Sequence, residues 1–282
     1  MSGRAGEPLR QSRWDLGSVA AVVVGLALVV IAQALDGGNI ASLFQLRAVL
    51  IVFGGTLAAT LVSYSLRAVL DAVRAAGRTF VRSPDSLDAL SAQLVSWSIR
   101  AHRRGLLALE PELDAIRDPF LRNGLMLAID GASSETLREA LTVERMALEG
   151  RDEIPARIFE SAAGYAPTLG ILGAVLGLIR VMDNLSAPSA LGSGIALAFV
   201  ATVYGVGLAN LVLLPIAGRL REQAAASARR CDLVIEALVD VQRRTNPRYV
   251  VQKTRGFASE VPRVDEIARR LRRAGGDPPL PS

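Results

Sequence analysis

The chain has 282 residues, 51% of them hydrophobic, and carries a net charge of +5 from 32 Lys and Arg against 27 Asp and Glu; its mean hydropathy is +0.34. Cys231 and His102 are each alone in the sequence, which excludes a disulfide framework, a thiol metal site and nearly every histidine-based catalytic constellation. No finger, helix-turn-helix signature or aromatic-interleaved patch accompanies the basic charge, so nucleic acid is not its partner.

Residues 1–15 form a polar arm bearing Arg4, Arg10 and Arg13. An apolar run over residues 16–35, with Gln33 as its only amide, is the first candidate membrane span. It lacks a signal-peptide cleavage site and reads as an anchor. Asp36-Gly37-Gly38-Asn39 is a turn, and residues 41–45 read as a short interfacial piece. The second span, residues 48–66, lies between Arg47 and Arg67. Its Gly54, Gly55, Thr56, Thr60, Ser63 and Tyr64 permit close backbone approach and hydroxyl bonding, as in a helix that faces other helices.

From residue 67 to 164 the sequence turns soluble in character, with mixed charges and leucines at helical spacing. Residues 67–81 are expected to continue the second span as an amphipathic helix. Ser83-Pro84-Asp85 is a helix-start signal, after which Leu87, Leu90, Leu94 and Trp97 share an apolar face. Leu106, Leu107 and Leu109 are assigned to the same bundle. Asp118-Pro119 opens a helix reaching Ile129, and residues 134–148 form another. Residues 153–166 run without a break into the third span. No acidic group falls into a metal-ligand pattern, and these charges read as the solvated faces of a helical bundle.

The third and fourth spans, within residues 165–218, organise the chain. Residues 168–182 hold no charge until Arg180, and residues 191–216 hold none. Gly170, Gly173 and Gly177 form one stripe of small residues; Ala201, Gly205 and Ala209 form another. The plain reading is helix packing. A sharper one is that several copies line a common interior to which Thr202 is presented. Pro167 and Pro215, near the same end of the two spans, each remove one backbone bond and can kink a helix; Pro167 could equally be a first-turn proline. No Asp, Glu, His or Lys lies in the central part of any span. Ion relays normally need an intramembrane carboxylate or imidazole, so any ion crossing here needs a titrating group from another polypeptide. Residues 219–244 read as a charged helix ended by Asn246-Pro247, and residues 219–282 as a whole as a cytoplasmic helix and basic tail, disordered at its Gly275-Gly276-Asp277-Pro278-Pro279 end.

The connections after the first and third spans carry no Lys or Arg, whereas the arm, the region after the second span (Arg67, Arg74, Arg78, Arg82) and Arg219 and Arg221 are basic. This asymmetry puts both termini and residues 67–164 in the cytoplasm. The expected architecture is an all-α integral membrane protein: four transmembrane helices, with a cytoplasmic helical domain between the second and third.

With these motifs in order, the chain resembles the MotA/PomA family, the larger stator subunit of the bacterial flagellar motor. The resemblance is carried by RAVLIVFGGTLAATLVSY in the second span and by RRGLLALE and DPFLRNGLMLAIDG in the soluble region. It continues through GYAPTLGILGAVLGLIRVM, ALAFVATVYGVGLANLVLLPIAGRL and NPR at residues 246–248. It implies a ring of five copies in the inner membrane around two copies of a MotB/PomB-like partner, which brings the ion-binding aspartate. Ion flow would turn the ring and drive a rotor switch-complex protein through cytoplasmic charges, with no enzymatic step and no cofactor. By the same resemblance Pro167 and Pro215 are the coupling prolines and Thr202 and Ala174 border the ion path. Alanine rather than threonine at position 174 implies protons as the transported ion, with Na⁺ the alternative, since a hydroxyl can coordinate Na⁺ and a methyl cannot. The rotor contacts fall on His102, Arg103, Arg104 and Glu110. His102 stands where the family pattern has arginine, and Arg104 can fill that role by a small register shift. His102, Arg103 and Glu110 are expected to share one helix side.

Two other readings meet the same residues. An ExbB/TolQ-type energiser of outer-membrane processes has similar third and fourth spans but usually three spans in all. A secondary transporter would show broken helices in repeated halves, a symmetry the two halves of this sequence lack.

Overall fold

The computed structural model describes residues 44–79, 87–183 and 188–257, together with Val24, Ala27 and Ile31. The N-terminal arm, nearly all of the first expected span, the Ser83-Pro84-Asp85 signal and the end of the tail lie outside the described residues. Almost everything described is helical, and three helices among these residues are long and apolar enough to cross a membrane. The chain divides into two compact units, one built from Met1–Ser83 with Glu153–Gln223, the other from Pro84–Asp152 with Ala224–Ser282.

In the first unit, α1 (Leu46–Ser63) is an apolar 18-residue helix whose Leu50–Gly54 turn is π-helical. A Cβ at Gly55 would stand 3.1 Å from Leu169 Cδ1, so the missing side chain is what admits that leucine. On another face Ala48 and Val52 pack with Leu197, Val200 and Ala201, and the Phe53 and Tyr204 rings meet edge to face at 6.0 Å. The helix does not continue into the next one, as the sequence had suggested. Tyr64 is extended (φ −136°, ψ 148°), and α2 (Leu66–Thr79) starts afresh. The break is held by side chains: Ser63 Oγ and Tyr165 Oη are 2.8 Å apart, and Tyr64 Oη and Ser161 Oγ 2.9 Å.

Residues 153–166 run into the third span as expected, and the segment 134–148, expected as a separate helix, joins them in α5 (Ser134–Asp183), a helix of 50 residues that contains Pro155 and Pro167. Its start is capped by Ser133, whose Oγ accepts from the Thr136 N–H at 3.1 Å. The fourth span belongs to α6, which is α-helical over Pro188–Gly207, π-helical over Leu208–Leu213 and α-helical again over Leu214–Gln242. Both α5 and α6 contribute residues to each unit.

The second unit contains α3 (Leu87–Arg104), a 3₁₀ segment Leu106–Ala115, α4 (Pro119–Ile129), the first part of α5, the last part of α6 and α7 (Pro247–Thr254). Its core gathers Leu90, Leu94, Trp97, Leu109, Leu125, Leu137, Leu141, Leu233 and Leu238. Asp118 caps α4 by accepting from the Phe120 N–H at 3.1 Å, with proline at the first helical position, where its missing donor costs nothing. Gly124 lets α4 come close: a Cβ there would lie 2.6 Å from Leu238 Cδ1. Of the leucines assigned to this bundle, Leu109 is fully buried but Leu107 is 72% exposed, because the 3₁₀ turn sends neighbouring side chains to different faces. Asn246-Pro247 does not end the charged helix. That helix stops at Gln242, and Asn246 opens α7, its side chain accepting from the Arg248 N–H at 3.0 Å.

Candidate functional site

The two stripes of small residues meet within one chain. A Cβ at Gly170 would lie 2.9 Å from the Ala201 carbonyl oxygen, and one at Gly177 would lie 2.7 Å from the Gly194 carbonyl and 2.8 Å from the Ala198 nitrogen. Side chains cannot occupy such gaps, so α5 and α6 touch backbone to backbone at Gly170 and Gly177 on one side and Gly194, Ala198, Ala201 and Gly205 on the other, while Gly173 makes room for the Ala201 methyl. This is the plain packing reading of the stripes. The seam leaves the opposite faces apolar and uncovered: only 33% of the apolar window in each helix is buried within the chain, and 22% of that in α1. Ile171, Val175, Leu178 and Ile179 of α5 and Phe199 and Val203 of α6 are all exposed. Lipid or further protein must cover them.

Pro167 and Ala174 are both half-buried. Seven residues are close to two turns, so they share a side of α5, next to the glycine seam. Thr202 is half-buried on α6, and its hydroxyl donates to the Ala198 carbonyl at 3.1 Å. That bond fixes the rotamer and leaves the oxygen lone pairs free to accept. Pro215 is exposed and sits just past the π-helical turn, where the Leu214 N–H reaches back five residues to the Ala209 carbonyl. A π turn absorbs the register defect caused by a residue without an N–H. Pro167 has no such turn before it: α5 is α-helical on both sides.

The four charged positions do not share one helix. α3 ends at Arg104, Gly105 turns the chain at φ 83°, and Glu110 lies in the 3₁₀ segment. The expectation that His102, Arg103 and Glu110 line one helix side is therefore corrected: a left-handed glycine between them ends the periodicity. His102, Arg104 and Glu110 are exposed and Arg103 is half-buried. His102 Nδ1 lies 2.8 Å from the Arg244 carbonyl oxygen; a carbonyl only accepts, so the proton sits on Nδ1.

Neighbouring groups that sequence reasoning passed over fix this turn. Glu112 takes the Trp97 Nε1–H at 3.0 Å and Arg100 Nη1 at 2.6 Å. The bond to Arg100, opposed by partial burial and helped by Trp97, holds its carboxyl below the ordinary value. It ties α3 to the 3₁₀ segment two residues from Glu110. In the same unit Arg138 forks onto Glu236, and Lys253, the only lysine, bonds Glu236 at 3.0 Å and Asp240 at 3.1 Å. Arg138 chiefly, with Lys253, lowers the Glu236 pKa to about 2 against the opposing effect of burial. No three metal-ligating side chains converge among the described residues. Burial pushes the Cys231 thiol up to about 11, so it stays protonated and is a poor nucleophile.

Sequence spacing could have disclosed Gly194 and Ala198, which extend the Ala201 and Gly205 stripe by three and four residues. Nothing in the spacing marks the Tyr64–Ser161 and Ser63–Tyr165 pairs or Glu112, since their partners are brought together only by folding.

Residues 112–232 match the model of the MotA/TolQ/ExbB proton channel family. The chain is 34% identical over 249 residues to the uncharacterized protein YtxD of Bacillus subtilis, covering 88% of this chain and 92% of that one. It is 31% identical over 240 residues to motility protein A of the same organism, covering 85% and 89%. Among solved structures, it resembles one described as C. jejuni MotAB with a TM-score of 0.81 and 29% identity, over 89% of this chain and 98% of that chain. It also resembles the flagellar MotAB stator complex of Bacillus subtilis with a TM-score of 0.76 and 30% identity, over 83% and 92%.

Proposed function

We infer the role of this chain from a plain premise: it belongs to the MotA/TolQ/ExbB proton channel family, among the motility protein A relatives of that family. It is an ion-conducting stator subunit of the bacterial flagellar motor, embedded in the membrane by apolar helices. The observation that carries the mechanism is chemical. The apolar stretches of α1, α5 and α6 contain no Asp, Glu, His or Lys in their central parts, so the chain can wall an ion path but cannot relay a proton along it. The titrating carboxylate comes from a MotB-like partner, which is what a MotAB complex pairs with a chain of this kind.

The finer reading follows from that division of labour. Four spans, the first within residues 16–35, hold residues 67–164 and the C-terminal helix in the cytoplasm, in keeping with the basic residues that flank the spans. Five copies surround a partner dimer, and the large uncovered apolar faces of α1, α5 and α6 give them surface to do so. Thr202 and Ala174 border the path of the partner's carboxylate; the Ala174 methyl gives no oxygen for a sodium ion, which favours protons. One proton falling through 100 mV yields about 2.3 kcal/mol, enough for a small conformational step and no more. Pro167 and Pro215 are the points at which α5 and α6 yield to that step. His102, Arg103, Arg104 and Glu110 then pass it to an acidic and basic rotor surface.

The reading is tested by deleting the chain from its cell. Filaments should still assemble and stand still, and re-expression should restart them. Undiminished torque in the deletion strain would overturn it.

A further inference from the structure

We propose that Arg244 belongs to the partner-facing surface at the end of α3 and presents its guanidinium to an acidic face of the rotor protein. The proposal rests on the reading of the 102–110 turn as rotor-facing. α6 closes with a Schellman motif: the Thr245 N–H donates to Asp240 O at 3.0 Å and the Arg244 N–H to Val241 O at 3.1 Å. Residue 244 is the left-handed position of that motif (φ 53°) and the only non-glycine with positive φ among the described residues. Glycine is the default there because a Cβ is strained; this chain accepts the strain and places an arginine.

Two contacts fix where the arginine points. His102 holds its carbonyl oxygen at 2.8 Å from Nδ1. Its Nη2 lies 3.5 Å from where a Cβ of Gly105 would be, so the guanidinium rests across the turn between α3 and the 3₁₀ segment. The side chain is exposed. Other arginines of the same unit have carboxylate partners: Arg100 with Glu112, Arg145 with Asp232, Arg230 with Asp118 and Arg243 with Glu135. Among the described residues the Arg244 guanidinium forms no ion pair. A strained, exposed cation without an ion pair among the described residues, held across Gly105 and the turn leading to Glu110, is matched to an acidic partner surface. Besides its place in the rotor-facing turn, His102 then positions Arg244, which accounts for an imidazole at a position where the resemblance called for charge.

The competing account is that the arginine only complements the helix C-terminus. Arg244→Gly separates the two, because glycine suits the backbone and removes the charge. In cells carrying the full chain with its partner, R244G should assemble in the membrane and melt no lower than the parent, while stall torque falls at least twofold. R244K should keep most of the torque, and R244E should fall below R244G. Parental torque in R244G, or a torque loss that merely follows a lower melting temperature and less assembled complex, overturns the proposal. Arg103→Glu and Glu110→Lys measured alongside decide where a failure lies. If they lower torque and R244G does not, Arg244 alone is misassigned; if neither changes torque, the rotor-facing reading falls with it.

Discussion

Gly205 of α6 lies directly against the turn of α5 that holds Pro167: a Cβ at position 205 would stand 3.2 Å from the Pro167 Cα and 2.6 Å from the Ala166 carbonyl oxygen. Both obstacles are backbone, and neither can swing aside as a side chain would. Gly205→Ala should therefore push the two spans apart at the proline, costing about 1–3 kcal/mol as overpacking does. Two residues on, Gly207 has nothing within 4 Å of its absent Cβ. Gly207→Ala should melt and swim like the parent. Equal tolerance of the two substitutions would show that the seam is not the tight contact described.

Replacing Pro167 or Pro215 with alanine restores one backbone N–H in each helix. Each variant should reach the membrane and assemble, and each should stop rotation, as measured by tethered-cell spinning. The two should differ locally, because only Pro215 has a π turn before it. Normal rotation in both variants would remove the prolines from the mechanism.

Glu110 and Glu112 stand two residues apart and should behave in opposite ways. Glu112 receives hydrogen bonds from Trp97 and Arg100, so Glu112→Ala should cost about 1–3 kcal/mol of folding stability. Glu110 is exposed, and Glu110→Lys should leave thermal melting unchanged while weakening torque. Melting curves and motility of the two variants check this directly.

The Glu236 carboxyl, lowered to about 2 from an ordinary 4.5, contributes stability that is fully present above pH 4.5. That contribution drains away as pH falls toward 2, because the unfolded chain takes up the proton first. Glu236→Gln should melt below the parent at pH 7, and the gap should close as the pH approaches 3. A gap independent of pH would mean that the contacts with Arg138 and Lys253 do not depend on charge.

Much of this was legible in the sequence, for reasons that lie in particular residues. The length and polarity of residues 168–182 and 191–216 announce membrane helices, Asp118-Pro119 announces a helix start, and the glycine spacing announces close packing. What escaped depends on geometry that spacing does not encode. An extended Tyr64 breaks what reads as one helix, since its hydroxyl has a partner on α5, far away in the sequence. Gly105 looks like any loop glycine until its φ of 83° divides His102 and Arg103 from Glu110. Asn246-Pro247 fits a helix end as well as a helix start, and only the side-chain bond to Arg248 separates the two. In the spans, small-residue stripes look alike whether they serve one chain or several; the distances between Gly170 and Ala201 and between Gly177 and Gly194 assign them to one.

Ion flux in proteoliposomes tests the central claim most directly. With a proton gradient, an imposed potential and no sodium, the chain purified together with its MotB-like partner should conduct, and conduction should end when the partner's membrane carboxylate is replaced by its amide. The chain alone should be silent. Proton flux through the chain alone, at a rate like that of the complex, would contradict the account.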